Sequence, residues 1–184
     1  MKKKVYVFLA DGFEEIEGLT VVDLLRRAGV EVTTVSIMEE AMIHGAHGID
    51  VMADCMFEEA DFADGDMLVL PGGLPGTAYL GEHEGLAELI RQYDREERYL
   101  AAICAAPRIF GRMGLLEGRK AISYPAMEEE LKGAQILRKP VVVDGHFVTS
   151  RGMGTAIDFA LQMVAVLVGQ EEAEQLAESI VYRA

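Results

Sequence analysis

Unbroken apolar runs constrain this chain more than any other feature. Val5 to Ala10, Met67 to Leu70 and Leu100 to Ile103 each read as a strand with no polar face. Such strands must be covered on both sides, as they are in a parallel sheet sandwiched between helices. The segments between them fit that picture. Glu15 to Ala28 carries Ile16, Leu19, Val22 and Leu24 or Leu25 at helical spacing and closes at Gly29; Val30 to Ile37 is strand-like, and Leu86 to Tyr93 is helical. Further on, the pattern predicts a helix near Arg108 to Leu116, a short strand at Lys120 to Ser123 and a helix at Met127 to Leu131. Asp144-Gly145, between apolar runs at Val141–Val143 and His146–Thr149, is a two-residue hairpin signal. Thr155 with Asp158 three residues on predicts a capping box opening a helix that ends at Gly169, and a last helix runs from Glu171 to about Val181. The alternation predicts a doubly wound α/β sandwich with a mostly parallel sheet and a small β-hairpin, in a single domain over residues 1–184.

Charge and cysteine usage narrow the partners. A formal net charge of -14 argues against nucleic acid and anionic membrane, which repel an acidic surface, and leaves small molecules or proteins. Lys2-Lys3-Lys4 precedes an apolar run, but six residues are shorter than the hydrophobic region of a signal peptide, and Asp11-Gly12 ends it. No stretch approaches the roughly 18 apolar residues of a spanning helix. Cys55 and Cys104 do not make a disulfide framework, so a reducing, cytoplasmic setting is expected.

Three loops fall at the carboxyl ends of the predicted strands, where ligands bind in such sheets. In the first, Asp11 to Glu17, Glu14 and Glu15 suit the positive end of a helix and need no function. Glu17 lies one turn in; facing the sheet, it would be desolvated, favouring a neutral carboxyl able to donate a proton. In the second, Pro71 to Gly76, Gly72 and Gly73 permit the close backbone approach of an oxyanion hole, or simply a tight turn. The third carries Cys104 where a strand breaks into a helix start. Ala102 and Ala106 take the places of the glycines in a nucleophile elbow, and a helix N-terminus favours a thiolate, lowering the thiol pKa below about 8.5. Cys104 also fits a small buried hydrophobe. The chain has no G-x-G-x-x-G after its first strand and no P-loop, so no nucleotide cofactor is expected. His44, His47, Asp50, Asp54 and Cys55 match no zinc spacing, and no metal is expected. His83 and His146 read as exposed loop residues, and the methionines as core and interface filler.

Taken in order, Asp11 to Glu17, Leu70 to Gly73, Ala101 to Pro107 and Thr149 to Thr155 resemble the ThiJ/PfpI superfamily, specifically its DJ-one branch, over essentially the whole chain. The resemblance implies a flavodoxin-like homodimer without a cofactor. It also implies a reactive Cys104 hydrogen-bonded to a protonated Glu17, and backbone donors at Gly72, Gly73 and Ala105. It implies action on a small reactive carbonyl or a glycated adduct, as a glutathione-independent glyoxalase or deglycase. The alternatives are a redox sensor or chaperone with little turnover, and a binding module without activity. Tyr124 stands where the branch has a histidine before proline, so it is the candidate substrate donor; Met153 replaces a proline, and His47 stands about where an arginine is usual. Ala105 in place of a histidine after the cysteine, and the absence of a downstream His-x-Glu, exclude peptidase and glutamine amidotransferase chemistry.

Overall fold

The computed structural model, which describes residues 2–182, turns each apolar run into a strand. In chain order the strands are β1 (Lys4–Leu9), β2 (Glu31–Ser36), β3 (Met42–His44), β4 (Asp50–Met52), β5 (Cys55–Met56), β6 (Met67–Leu70), β7 (Tyr99–Ile103), β8 (Lys120–Ala121), β9 (Gln135–Ile136), β10 (Val141–Asp144) and β11 (Phe147–Ser150). The helices are α1 (Glu15–Arg27), α2 (Gly76–Glu82), α3 (Glu84–Arg95), α4 (Pro107–Arg112), α5 (Ala156–Leu167) and α6 (Gln170–Ser179). Seven strands form one sheet in the order β10-β11-β7-β6-β1-β2-β5. Only the β10–β11 edge is antiparallel; the other neighbours run parallel.

The missing polar faces are explained by two cores. Val5, Val7 and Leu9 of β1 and Ala101 and Ile103 of β7 pack with Leu25 of α1, Phe159 and Met163 of α5 and Leu176 of α6. Tyr6 and Phe8, with Leu100 and Ala102, point the other way onto Ile90 and Tyr93 of α3 and Phe110 of α4. Successive side chains of each strand therefore feed opposite layers, which is what a doubly wound sheet needs. Hairpin β3–β4 stands apart and is tied back to the first loop, with Gly12 N donating to His44 O at 2.7 Å and His44 N donating to Asp11 Oδ1 at 2.9 Å. No helix among the described residues is long and apolar enough to cross a membrane.

Several local expectations change. Helix α1 begins as expected, but Ile16 is 49% exposed while Glu15, Glu17 and Gly18 face inward. The apolar stripe is rotated because Gly18 leaves room for the ring of Phe13 beneath it. The helix near Arg108 ends at Arg112, with Gly114 beyond it in the left-handed region, and the Met127 segment is a 3-10 turn over Pro125–Glu130. The Thr155 hydroxyl does not cap α5: it turns back to Gly152 O at 2.9 Å and pairs with Ser150 Oγ at 2.7 Å. The last helix stops at Ser179, and Val181 has positive φ. His146 is buried against Asp94 at 2.8 Å rather than exposed, and half-buried His83 caps α3 by accepting from Leu86 N at 3.0 Å.

Candidate active site

Because the central strands are parallel, the loops after β1, β6, β7 and β11 all emerge at one end of the sheet. Cys104 follows β7 there with φ of 63°, a left-handed conformation costly for any residue but glycine. Its surroundings hold it in place. Cys104 N donates to Ser150 O at 3.1 Å, and Cys104 O accepts from Tyr124 N at 2.8 Å. Ala102 and Ala106 are fully buried on either side, so the elbow predicted from their small size is present.

Helix α1 delivers Glu17, 1% exposed, against the sulfur. Its Oε2 accepts from Gly72 N at 2.9 Å, and the carboxyl is hydrogen-bonded to the Cys104 thiol. A side chain at Gly72 would strike both groups, so glycine is required there for space. The Gly72 amide, expected beside the sulfur, is thus committed to the carboxyl. The amides facing the sulfur are those of Ala105 and Gly73, the latter with φ of 95°. Tyr124, half-exposed, stands at the rim near Gly152.

The electrostatics reverse one expectation. Burial pushes Glu17 up to about 7, helped by the nearby Glu14 charge and opposed by the bonds from the thiol and the Gly72 amide. Burial also pushes the Cys104 thiol up to about 12, and the Glu17 charge and hydrogen bond add to this, against the Ala105 and Gly73 amides. The predicted depression of the thiol by a helix start fails because burial dominates and the Glu17 charge adds to it, while α4 begins only at Pro107. The pair nevertheless has a route to a thiolate. When the thiol proton moves along the existing bond to Glu17, the opposing charge disappears and two amides remain to stabilise the sulfur.

A match to a family model covers residues 3–166, under the description DJ-1/PfpI family. The chain belongs to the DJ-1/PfpI family. It is 38% identical over 183 residues to Protein DJ-1 homolog B of Arabidopsis thaliana, covering 98% of this chain and 42% of that protein. The chain thus spans less than half of that relative. It is 34% identical to Deglycase TK1284 of Thermococcus kodakarensis, covering 89% of this chain and 99% of that one. The solved structure of oxidized Toxoplasma gondii DJ-1 superposes with a TM-score of 0.95 at 32% identity, covering 99% and 100% of the two chains. As a DJ-1/PfpI family member the chain has the expected flavodoxin-like fold.

The five residues considered for a metal do not converge on one point among the described residues. His44 pairs with Asp50 at 2.8 Å, and Asp54 is taken by Arg26 and by Thr34. Cys55 lies on edge strand β5, with its thiol pushed up by burial. Sequence reasoning missed two groups. Ser150 fixes the elbow through its carbonyl, which no side-chain pattern reveals. Glu15, read as a solvated helix-start residue, is buried under the hairpin, where its Oε1 accepts from His47 N at 2.6 Å. A groove of about 900 Å³, lined partly by Asp11, Met38, Met42 and Tyr79, opens at the same end of the sheet without including Cys104.

Proposed function

We propose that this chain is a cysteine-dependent enzyme acting on small reactive carbonyls or their amine adducts, of the glutathione-independent glyoxalase or deglycase type. The observation that carries the reading is the Cys104 thiol, strained on its elbow and hydrogen-bonded to a buried Glu17. The name of the Thermococcus relative supports the same class.

In this mechanism Glu17 takes the thiol proton, and the sulfur attacks the aldehyde carbon of an α-oxoaldehyde. A C–S bond forms as the carbonyl π bond breaks, and Glu17 returns the proton to the oxygen, giving a hemithioacetal. The amides of Gly73 and Ala105 lie beside the new bond, where charge develops on oxygen. Glu17, again a carboxylate, then moves the aldehyde-carbon proton to the neighbouring ketone carbon. The first carbon is oxidised to a thioester as the second is reduced to an alcohol, so no external oxidant enters. Water hydrolyses the thioester, releasing a 2-hydroxy acid and the thiol. For a glycated amine held as a hemiaminal, the C–N bond breaks first, the nitrogen taking a proton as the hydroxyl loses one, and the aldehyde so freed enters the same route while the amine leaves.

We read the working unit as a homodimer, supported by the unpaired apolar side chains Ile16 on α1 and Ile49 and Met52 on the β3–β4 hairpin, all about half-exposed or more. Turnover is tested by methylglyoxal consumption with chiral analysis of the lactate formed. Wild type should produce lactate of one hand and Cys104→Ala none; equal activity in both ends the proposal. A redox-sensing role is the second reading, favoured by the Glu17 carboxyl and two amides already grouped round the sulfur, where they would hold the oxygens of a sulfinate. It gains ground if wild type makes no lactate yet mild peroxide stops at Cys104 sulfinate.

A further inference from the structure

The groove at the Cys104 end of the sheet takes no part in the carbonyl chemistry, and its lining is of two kinds. Ile37 and the methionines Met38, Met42 and Met56, all half-buried, join Tyr79, 40% exposed, in an apolar floor. Methionine side chains adapt to the shape that meets them, which suits a surface that receives a partner. The rim is acidic. Glu39 and Glu40 stand in the loop after β2, Glu58 in the 3-10 turn after β5 and Glu82 at the end of α2, all exposed. We propose that this groove of about 900 Å³ docks a segment of basic polypeptide, with its apolar side chains on the methionine floor and its lysines or arginines on the four carboxylates.

Charge complementarity decides the occupant. No lysine or arginine lines the groove among the described residues, and none of the four glutamates forms an ion pair there. Asp11 and His44, which also line it, are already committed: Asp11 accepts from the His44 amide at 2.9 Å, and the His44 ring pairs with Asp50 at 2.8 Å. His83 is committed too, with Nδ1 accepting from Leu86 N at 3.0 Å and its ring 4.6 Å from that of Phe57. The rim therefore keeps four uncompensated carboxylates over an apolar floor, a combination that attracts a cation carried on an apolar stem. None of the four lies on α1 or on the β3–β4 hairpin, so their charge is separate from the face read as the dimer contact. A second copy does not suit the groove, because it carries the same net charge of -14 and its basic N-terminus is used internally, Lys3 on Asp66 and Lys4 on Asp64. Nucleic acid and anionic membrane are repelled by the same rim. Occupancy requires no turnover at Cys104.

The test uses the full chain carrying Cys104→Ala, so that binding is read apart from chemistry. A fluorescein-labelled peptide of alternating arginine and leucine should gain anisotropy as this protein is added, and methionine-methyl NMR should show shifts at Met38, Met42 and Met56 but not at Met153 beside the elbow. Adding Glu40→Gln, Glu58→Gln and Glu82→Gln together should weaken binding about tenfold, each exposed pair being worth about twofold. Removing the same charge from α6 with Glu171→Gln, Glu172→Gln and Glu178→Gln should cost less than about twofold, since distant exposed charges are screened. A peptide with serine in place of leucine should bind severalfold more weakly, and so should the original peptide to Tyr79→Ser, which carries the test if the groove triple variant fails to fold. Equal losses in the two triple variants would show that only net charge is felt, and equal affinity for the two peptides that the floor is not used. Either result, or no binding at about millimolar protein, overturns the docking site.

Discussion

Glu15 and Glu17 stand two residues apart on the same first turn of α1, are 4% and 1% exposed, and have opposite electrostatic fates. Burial pushes Glu15 up, but hydrogen bonds from the His47 ring, its own amide and the His47 amide outweigh this, and its carboxyl sits below the usual range. Glu17 meets a thiol and one amide, and burial dominates, raising it to about 7. Burial alone therefore does not decide whether a carboxyl is an anchor or a proton carrier. Its partner does, and the two partners come from loops far apart in sequence.

The largest test of that distinction is catalytic. If Glu17 is the base and Glu15 only holds the hairpin, Glu17→Ala should lower methylglyoxal turnover by about 10² to 10⁴, the usual worth of a positioned acid or base. Glu15→Gln should stay within about tenfold of wild type, acting through loop position alone. Steady-state kinetics on the two variants decide the matter, and similar losses in both would erase the contrast.

Stability against pH should separate the pair next, with opposite slopes. The folded pKa of Glu17, about 7, lies above its ordinary 4.5. Its contribution is therefore fully present below pH 4.5 and is lost as pH rises through 7, for a total of about 3 kcal/mol. Glu17→Gln should then match wild type in acid and exceed its stability above neutrality. Glu15 behaves in the reverse sense: its folded pKa is depressed, so its contribution is present above its unfolded value and lost as pH falls through the folded one. Glu15→Gln should be less stable than wild type at neutral pH, with the gap closing in acid. Denaturant melts across pH check both, and parallel slopes would show that partner identity does not control the charge.

Much of this was legible in the chain and some was not, for identifiable reasons. The strands of the central sheet were readable because a strand buried on both faces has no polar alternation to misplace, as in Met67 to Leu70. The Cys104 elbow was readable because Ala102, Ala106 and Pro107 are local. The fate of Glu15 was hidden because its partner lies 32 residues away in a hairpin turn. Helical spacing pointed Ile16 inward, since periodicity does not anticipate two buried carboxyls on the opposite face. The thiol was misjudged because a helix start is visible in sequence, whereas the burial that chiefly raises it is a tertiary fact.

Thiol alkylation sharpens the same contrast at smaller scale. Because Glu17 and Cys104 exchange one proton, labelling of Cys104 by iodoacetamide should climb about tenfold as pH rises through 7, where the pair loses its first proton. Cys55 is pushed up by burial and by the charges of Glu59 and Asp54, and should show no inflection there. Mass-mapped labelling rates give both profiles. Glu17→Gln should abolish the inflection at Cys104; its persistence would assign the titration to another group.

Tyr124 provides the smallest and last test, because its ring borders the same Gly152 position that faces Glu17 and the Cys104 sulfur. Its amide supports the Cys104 carbonyl, a role that any residue with a backbone N–H fills, while its side chain is half-exposed at the rim. The phenol hydroxyl is a hydrogen-bond donor and acceptor, so its contribution to turnover is at most a hydrogen bond to a substrate oxygen. Tyr124→Phe should therefore change methylglyoxal turnover by no more than about fivefold, a neutral hydrogen bond being worth about 1 kcal/mol. Tyr124→His places a group able to carry protons near pH 7 at the same rim and should raise turnover by up to about tenfold. A large loss in Tyr124→Phe would mean that the proton traffic assigned to Glu17 is shared across the elbow. No gain in Tyr124→His would mean that Glu17, reached through the thiol itself, already carries all of it.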